Sequence, residues 1–154
     1  MAASRRRFGA VWKGMVFARP RLRKAARIGY FAALVVEAVV QIALVWVTVR
    51  FLPPARLRRW LEPRPGLTEP PLQLARDLRR LMRFLAPALP RRTHCLICAV
   101  AARAMLARRN YGSTLSLGAD LTKSAIAAHA WLSAGSIIVT GRENMTAYRE
   151  VTRF

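Results

Sequence analysis

The chain has 154 residues, of which 54% are hydrophobic, so it is long enough for one domain with a modest core and too apolar for intrinsic disorder. Its net charge is +20, because 27 Lys and Arg residues oppose only 7 Asp and Glu residues. This charge favours an anionic partner such as an acidic peptide or a lipid surface, although arginine-rich codon usage would produce the same excess. Aromatic residues that would stack on bases are not interleaved with the arginines, so we expect no nucleic-acid partner.

Residues 1–27 form a basic arm in which every charged residue is Arg or Lys. We predict a solvated tail that precedes a single domain over residues 28–154. The alternative is that this arm is attracted electrostatically to an anionic membrane leaflet or to a partner protein.

Residues 28–52 form an apolar run that predicts a long helix. The run satisfies the criterion of about 20 residues for a transmembrane helix. However, Glu37 lies near its middle and Gln41 follows one turn later, and a central carboxylate costs on the order of 3 kcal/mol on insertion. We therefore predict a helix that packs its apolar face on a soluble domain and turns Glu37 and Gln41 away from that face. A membrane-embedded or surface-bound segment remains the alternative.

Two further helices are predicted after a proline-rich loop. Residues 72–85 show the spacing of an amphipathic helix, whose apolar face carries Leu74, Leu78, Leu81, Met82 and Leu85. Residues 94–109 are dense in alanine and predict a buried central helix. Thr93 would cap its start, and Asn110 or Gly112 would supply the left-handed residue at its end.

From residue 113 the period of the apolar residues changes to two, which predicts β-strands at 113–118, 127–133, 136–140 and 147–154. A tight turn at Ala134-Gly135 would join the middle two strands into a hairpin. Helices followed by an antiparallel sheet give an α+β fold.

Cys95 and His129 are the residues best suited to chemistry. Cys95 lies where the alanine-rich helix begins, and a helix N-terminus favours a thiolate. His129 lies on the second predicted strand, where its imidazole would act as the general base for the thiol. A small buried cysteine and a hydrogen-bonded core histidine are the alternatives. Cys98 is predicted to face the core, although the two cysteines could exchange roles. We expect His94 to be a poor base for Cys95, because the side chains of adjacent residues on a helix diverge.

A metal or redox site is the competing interpretation of the cysteines. Cys95 and Cys98 have the spacing of zinc ligands, but the sequence has no second pair at a matching spacing. A redox pair would need the preceding strand of a thioredoxin-like motif. We therefore expect no metal and no cofactor. The two cysteines are poorly placed for a mutual disulfide, and no signal-peptide cleavage pattern follows the apolar run, so we expect a cytoplasmic protein.

Four blocks of sequence resemble a known family. They are the cysteine-led helix over residues 95–109, Leu115-Ser-Leu-Gly118, Ala128-His-Ala-Trp-Leu132 and Val139-Thr-Gly141. In order and spacing they resemble the lasso-peptide biosynthesis B protein, the transglutaminase-like leader peptidase of the microcin-processing type. The resemblance extends over roughly residues 28–154. It implies a transglutaminase-like (papain-like) cysteine protease core with Cys95 as nucleophile and His129 as base.

The third catalytic residue of that family is an Asp about a dozen positions after the His. Residues 139–143 contain no Asp in this chain. Glu143 could take that role, or a backbone carbonyl could orient the imidazole, and both alternatives stay open.

The resemblance further implies a role in lasso-peptide maturation, a form of bacteriocin and antibiotic biosynthesis. The enzyme would remove the leader from a ribosomally made lasso precursor peptide with the help of a separate leader-recognition protein. The freed core would pass to an asparagine-synthetase-like lasso cyclase. An alternative of another class stays open. In that alternative the chain is a basic adaptor or peptide-binding protein that is associated with the inner face of the membrane and catalyses no reaction.

Overall fold

The computed structural model describes residues 20–51, 53, 68–90, 93–120, 127–143 and 145–154, with side chains of the first helix described from residue 25. The predictions for residues 1–19 and for most of the proline-rich loop lie outside these ranges. The chain divides into two units, residues 1–34 and residues 35–154. The described part of the first unit is the beginning of one helix, and all other described elements belong to the second.

The first helix, α1 (Pro20–Phe51), begins before residue 28, so the end of the predicted basic arm is helical. Proline is suited to the first turn of a helix, where its missing N–H would have no partner. Pro53 follows the end of α1, where the chain leaves the helix. By length and composition alone Ala25–Phe51 could cross a membrane, a test that core helices of soluble proteins and signal sequences also pass.

Two helices provide most of the core. The helix α2 (Leu72–Leu85) buries Leu74, Ala75, Asp77, Leu78, Leu81 and Met82, which confirms its predicted apolar face apart from the half-buried Leu85. The helix α3 (His94–Ala107) is the predicted central helix, and its buried residues are Ile97, Cys98, Ala99, Val100, Ala101, Ala102, Met105 and Leu106. The alanines allow α3 to approach the sheet closely. A short 3-10 helix, Ala86–Ala88, follows α2.

The ends of α3 differ from the prediction in detail. Thr93 occupies the N-cap position, but its side chain makes no capping hydrogen bond. The helix stops at Ala107 because the next three residues form a turn. Asn110 adopts the predicted left-handed conformation there, with φ of 59°.

The sheet has four described strands, β1 (Thr114–Asp120), β2 (Ala127–Ala134), β3 (Ile137–Thr140) and β4 (Arg149–Arg153). Their order is β3-β2-β1-β4, and every pair is antiparallel. A 3-10 helix, Met145–Ala147, precedes β4. The hairpin between β2 and β3 is confirmed, but its turn lies at Gly135 and Ser136, one residue later than predicted. Helices followed by this sheet confirm the α+β fold.

Glu37 and Gln41 lie on the packed side of α1, so the prediction that these two residues face away from it is wrong. Gln41 is only 7% exposed and shares a buried stripe with Ala38, Ile42 and Val45. The Glu37 carboxylate accepts two hydrogen bonds from the Arg109 guanidinium, one of them 2.9 Å long. The apolar pattern gave the wrong orientation of α1 because it could not show that Arg109, just after α3, neutralises the Glu37 carboxylate on the packed side. Apolar side chains are exposed instead, among them Val36, Val39, Val40, Leu44, Val47 and Phe51.

The ion pair between Glu37 and Arg109 should hold α1 to α3. We expect Glu37→Gln to lower the free energy of unfolding by about 1–3 kcal/mol, because it leaves a partly buried guanidinium without its charged partner. Urea denaturation followed by circular dichroism measures this loss. The matched control is Glu150→Gln, which removes an exposed partner of Arg153 and should cost far less. Equal losses in the two variants would contradict a structural role for the Glu37 pair.

Candidate active site

Cys95 and Cys98 lie one helical turn apart at the start of α3 but in different surroundings. Cys95 is half-buried, and Cys98 is 3% exposed. Burial, together with the charge of Cys95, raises the pKa of the Cys98 thiol to about 12. This raised pKa favours the neutral thiol of Cys98, which has little accessible surface although it borders the same cleft as Cys95, and Cys95 is the more exposed of the two thiols.

His129 lies on β2 between the flanking strands β1 and β3 and is 9% exposed. Its Nε2 donates a hydrogen bond of 2.8 Å to the carbonyl oxygen of Gly141, just after β3. The imidazole also stacks on Tyr148, with ring centroids 4.9 Å apart, and lies 6.1 Å from the Trp131 ring. Because a carbonyl can only accept, Nε2 carries the proton and Nδ1 is left to face another partner.

That partner is Cys95. Burial acts most strongly on the pKa of the Cys95 thiol and raises it, but several other effects outweigh burial. The hydrogen bond and charge of His129 lower this pKa, as do hydrogen bonds from the backbone N–H groups of Ala130 and Leu96. The net pKa of Cys95 lies below its ordinary value, which favours a thiolate.

The pKa of the His129 imidazole shifts in the opposite direction to that of the Cys95 thiol. The hydrogen bond with Cys95 is the largest effect and raises the pKa of His129, while burial lowers it. The Gly141 carbonyl and the negative charges of Cys95 and Glu143 raise it further, so the net pKa is above the ordinary value. A thiol that loses its proton readily therefore lies beside an imidazole that holds a proton readily, which is the arrangement that nucleophilic thiol chemistry requires.

Gly141 can present its carbonyl to His129 because it is glycine. Its φ is 76°, a conformation that side chains strongly disfavour. A Cβ at this position would collide with the Ala130 carbonyl oxygen and with Trp131. Gly118 on the neighbouring strand β1 also leaves room for Trp131, because a Cβ on Gly118 would lie only 2.7 Å from Cζ3 of Trp131.

Glu143 lies at the rim of the site and not against the imidazole ring. Its side chain is 60% exposed, and its Oε1 is 3.5 Å from Nε of Arg83 on α2. Glu143 raises the pKa of His129 through its charge, while the Gly141 carbonyl oxygen accepts the hydrogen bond that Nε2 donates. The geometry thus agrees with the alternative in which a backbone carbonyl orients the imidazole.

A cleft of about 480 Å³ opens onto Cys95 and His129. Residues from α2, the 3-10 turn after it, the start of α3 and the segment after β3 form its walls. His94 also lines the cleft. Within the described ranges, no group of three or more His, Cys, Asp or Glu residues is arranged to hold a metal ion.

The structure thus brings together the two predicted site residues, whose catalytic role remains a prediction. Sequence reasoning missed Tyr148, which no local pattern connects to His129. It also did not assign a role to Gly141, although the Val139-Thr-Gly141 block belongs to the family resemblance. The signal that could have identified Gly141 is its position, because it directly follows the strand that pairs with the strand of His129.

Residues 38–153 match the family model described as the transglutaminase-like superfamily. This match covers most of the chain and every residue of the site, and it confirms the transglutaminase-like class of the fold. No curated protein and no solved structure matches the chain.

The pKa directions predict that Cys95 reacts as a thiolate. Iodoacetamide should alkylate it at pH values where an ordinary thiol is protonated. His129→Asn should move the midpoint of the rate–pH profile to higher pH, because the hydrogen bond and charge that lower the pKa of Cys95 are lost. Mass spectrometry separates the two cysteines, and Cys98 should stay unlabelled in the folded protein. A profile that His129→Asn leaves in place would contradict the pairing.

Gly141→Ala should disturb the site through the imidazole. The strained φ and the collisions of the new Cβ should cost about 1–3 kcal/mol of stability. They should also displace the carbonyl from Nε2, so the alkylation midpoint of Cys95 moves to higher pH. The control is Gly135→Ala, which also has a positive φ, of 56°, but meets only the side chain of Glu69. Identical rate–pH profiles for the two variants would show that the Gly141 carbonyl does not position His129.

Proposed function

Because the chain belongs to the transglutaminase-like superfamily, which includes cysteine peptidases, we propose that it removes the leader from a ribosomally made lasso precursor peptide. The observation that best supports a peptidase activity is the pairing of the half-buried Cys95 thiol with His129, since both residues line an open cleft. The finer assignment to lasso-peptide maturation is supported by the four blocks of sequence that resemble the B proteins.

The proposed reaction has two steps. The Cys95 thiolate attacks the carbonyl carbon of the scissile amide, and His129 donates its proton to the leaving amine as the C–N bond breaks. A water molecule then attacks the thioester, gives a proton to His129 and releases the new carboxylate together with the Cys95 thiolate. The backbone N–H of Cys95, at the start of α3, would help to hold the oxyanion in both steps.

The remaining groups position the base. The Gly141 carbonyl fixes which nitrogen of His129 faces the sulfur, and the Tyr148 ring restricts rotation of the imidazole. A carbonyl dipole stabilises an imidazolium less than a full carboxylate does. Glu143 would add charge stabilisation from the rim of the cleft.

The proposal includes the partners that this chemistry needs. A separate leader-recognition protein would present the precursor peptide, and an asparagine-synthetase-like cyclase would take the core. We place this work in the cytoplasm, where the precursor is made. The exposed apolar side of α1 favours association with the inner face of the membrane, which is also the feature that favours the alternative of a non-catalytic membrane adaptor. A thiol of lowered pKa argues for catalysis, since an adaptor has no need of one.

Cleavage of a synthetic precursor peptide, with and without the leader-recognition protein, tests the proposal. We expect hydrolysis at a single junction, and we expect Cys95→Ala to lower its rate by about 10³-fold or more because the nucleophile is gone. Cys98→Ala, one turn away and in the core, should keep the rate within about threefold. Mass spectrometry of the products provides the rates. Equal cleavage by Cys95→Ala and the unaltered protein would contradict the mechanism.

A further inference from the structure

Four arginines form a stripe on the side of α2 that faces away from the core. Arg76, Arg79, Arg80 and Arg83 recur at helical spacing and together line a shallow depression of about 420 Å³. Arg79 and Arg83 also line the cleft that holds Cys95 and His129. The stripe therefore runs from the open surface into the candidate active site.

The segment after β3 adds a third arginine to the lining of the cleft. Arg142 lies just after β3, next to Glu143, and both residues line the cleft. The lining thus contains three guanidinium groups and a single carboxylate. Among the described residues, Arg79 and Arg142 have no ion-pair partner. The cleft consequently presents unbalanced positive charge beside the reactive thiol.

The single carboxylate is easily displaced. Glu143 contacts Arg83 at 3.5 Å, and both side chains are 60% or more exposed. Such exposed pairs contribute little, so another carboxylate can replace Glu143 at low cost. Apolar residues form much of the remaining lining, among them Met82, Pro87, Leu89 and Val139. This apolar surround strengthens an arginine–carboxylate contact compared with one in open water.

Resting on the proposed peptidase function, we infer that the cleft selects substrates with an acidic side chain beside the scissile bond, which Arg79, Arg83 and Arg142 bind. The planar guanidinium matches a carboxylate through two parallel hydrogen bonds, so an Asp or Glu side chain is the ligand that fits. These arginines determine specificity and do not touch the reacting atoms. Glu143 occupies the site in the absence of substrate and competes with the acidic side chain.

Matched covalent probes test this inference without requiring turnover. The probes are dipeptide chloromethyl ketones that carry either Glu or Gln at the last or at the penultimate residue. Each alkylates Cys95, and each lacks a C-terminal carboxylate, so any difference within a pair comes from the side-chain charge. Because both members of a pair react with the same thiolate, the ratio of their rates cancels changes in the pKa of Cys95.

We expect the Glu member of at least one pair to react about fivefold to tenfold faster with the unaltered protein. Arg79→Gln and Arg83→Gln should each reduce this preference about threefold, the size of effect expected when one nearby charge is removed. Arg80→Gln is the matched control, since Arg80 lies on the same helix, pairs with Asp77 and does not line the cleft, and it should leave the ratio unchanged. Glu143→Gln should raise the preference, because it removes the competing carboxylate.

Equal rates within both pairs, or a preference that survives in the Arg79→Gln/Arg83→Gln/Arg142→Gln triple variant, would overturn the inference. This result is separate from the fate of the proposed function. Cysteine-dependent cleavage of the precursor together with equal probe rates would refute only the acidic selectivity. A strong preference for the Glu probes without cleavage of any precursor would refute the leader peptidase and leave the acidic site in place.

Discussion

The hydrogen bond from His129 Nε2 to the Gly141 carbonyl is the contact on which the site depends. It assigns the proton to Nε2 and leaves Nδ1 for the Cys95 thiol, so one backbone group determines which nitrogen can act as base. The bond exists because β2 and β3 are antiparallel neighbours and because Gly141 tolerates a φ that other residues disfavour. The orienting group is therefore part of the sheet itself, and it keeps its place as long as the hairpin is intact.

The thiol depends on a different part of the fold. α3 packs against the sheet through eight buried residues, three of which are small alanines, and this packing brings Cys95 at the start of the helix to His129 on β2. At the other end of α3, Arg109 binds Glu37 of α1. The same helix thus places the Cys95 thiol at its N-terminus, where the helix dipole favours an anion, and Arg109 just past its C-terminus, where it pairs with α1.

The sequence predicted those features that depend on local pattern. The apolar period located α2, α3 and the strands within a few residues, and the position of Cys95 at a helix start was visible as well. The sequence did not reveal contacts between residues that are distant along the chain. Tyr148 reaches His129 from the segment before β4, and Arg83 on α2 reaches Glu143 after β3. Glu37 was placed on the wrong side of α1 because its partner lies 72 residues away, beyond the reach of a periodicity argument.

The protonation state of the His129 ring tests the account most directly. Long-range ¹H–¹⁵N correlation spectra of the labelled protein over a pH series report which ring nitrogen carries a proton, and His129→Asn distinguishes this ring from that of His94. We predict that Nε2 is the protonated nitrogen in the neutral form and that the ring titrates at higher pH in the unaltered protein than in Cys95→Ala. A neutral ring protonated at Nδ1, or a titration that Cys95→Ala leaves unchanged, would contradict the pairing of thiol, imidazole and backbone carbonyl.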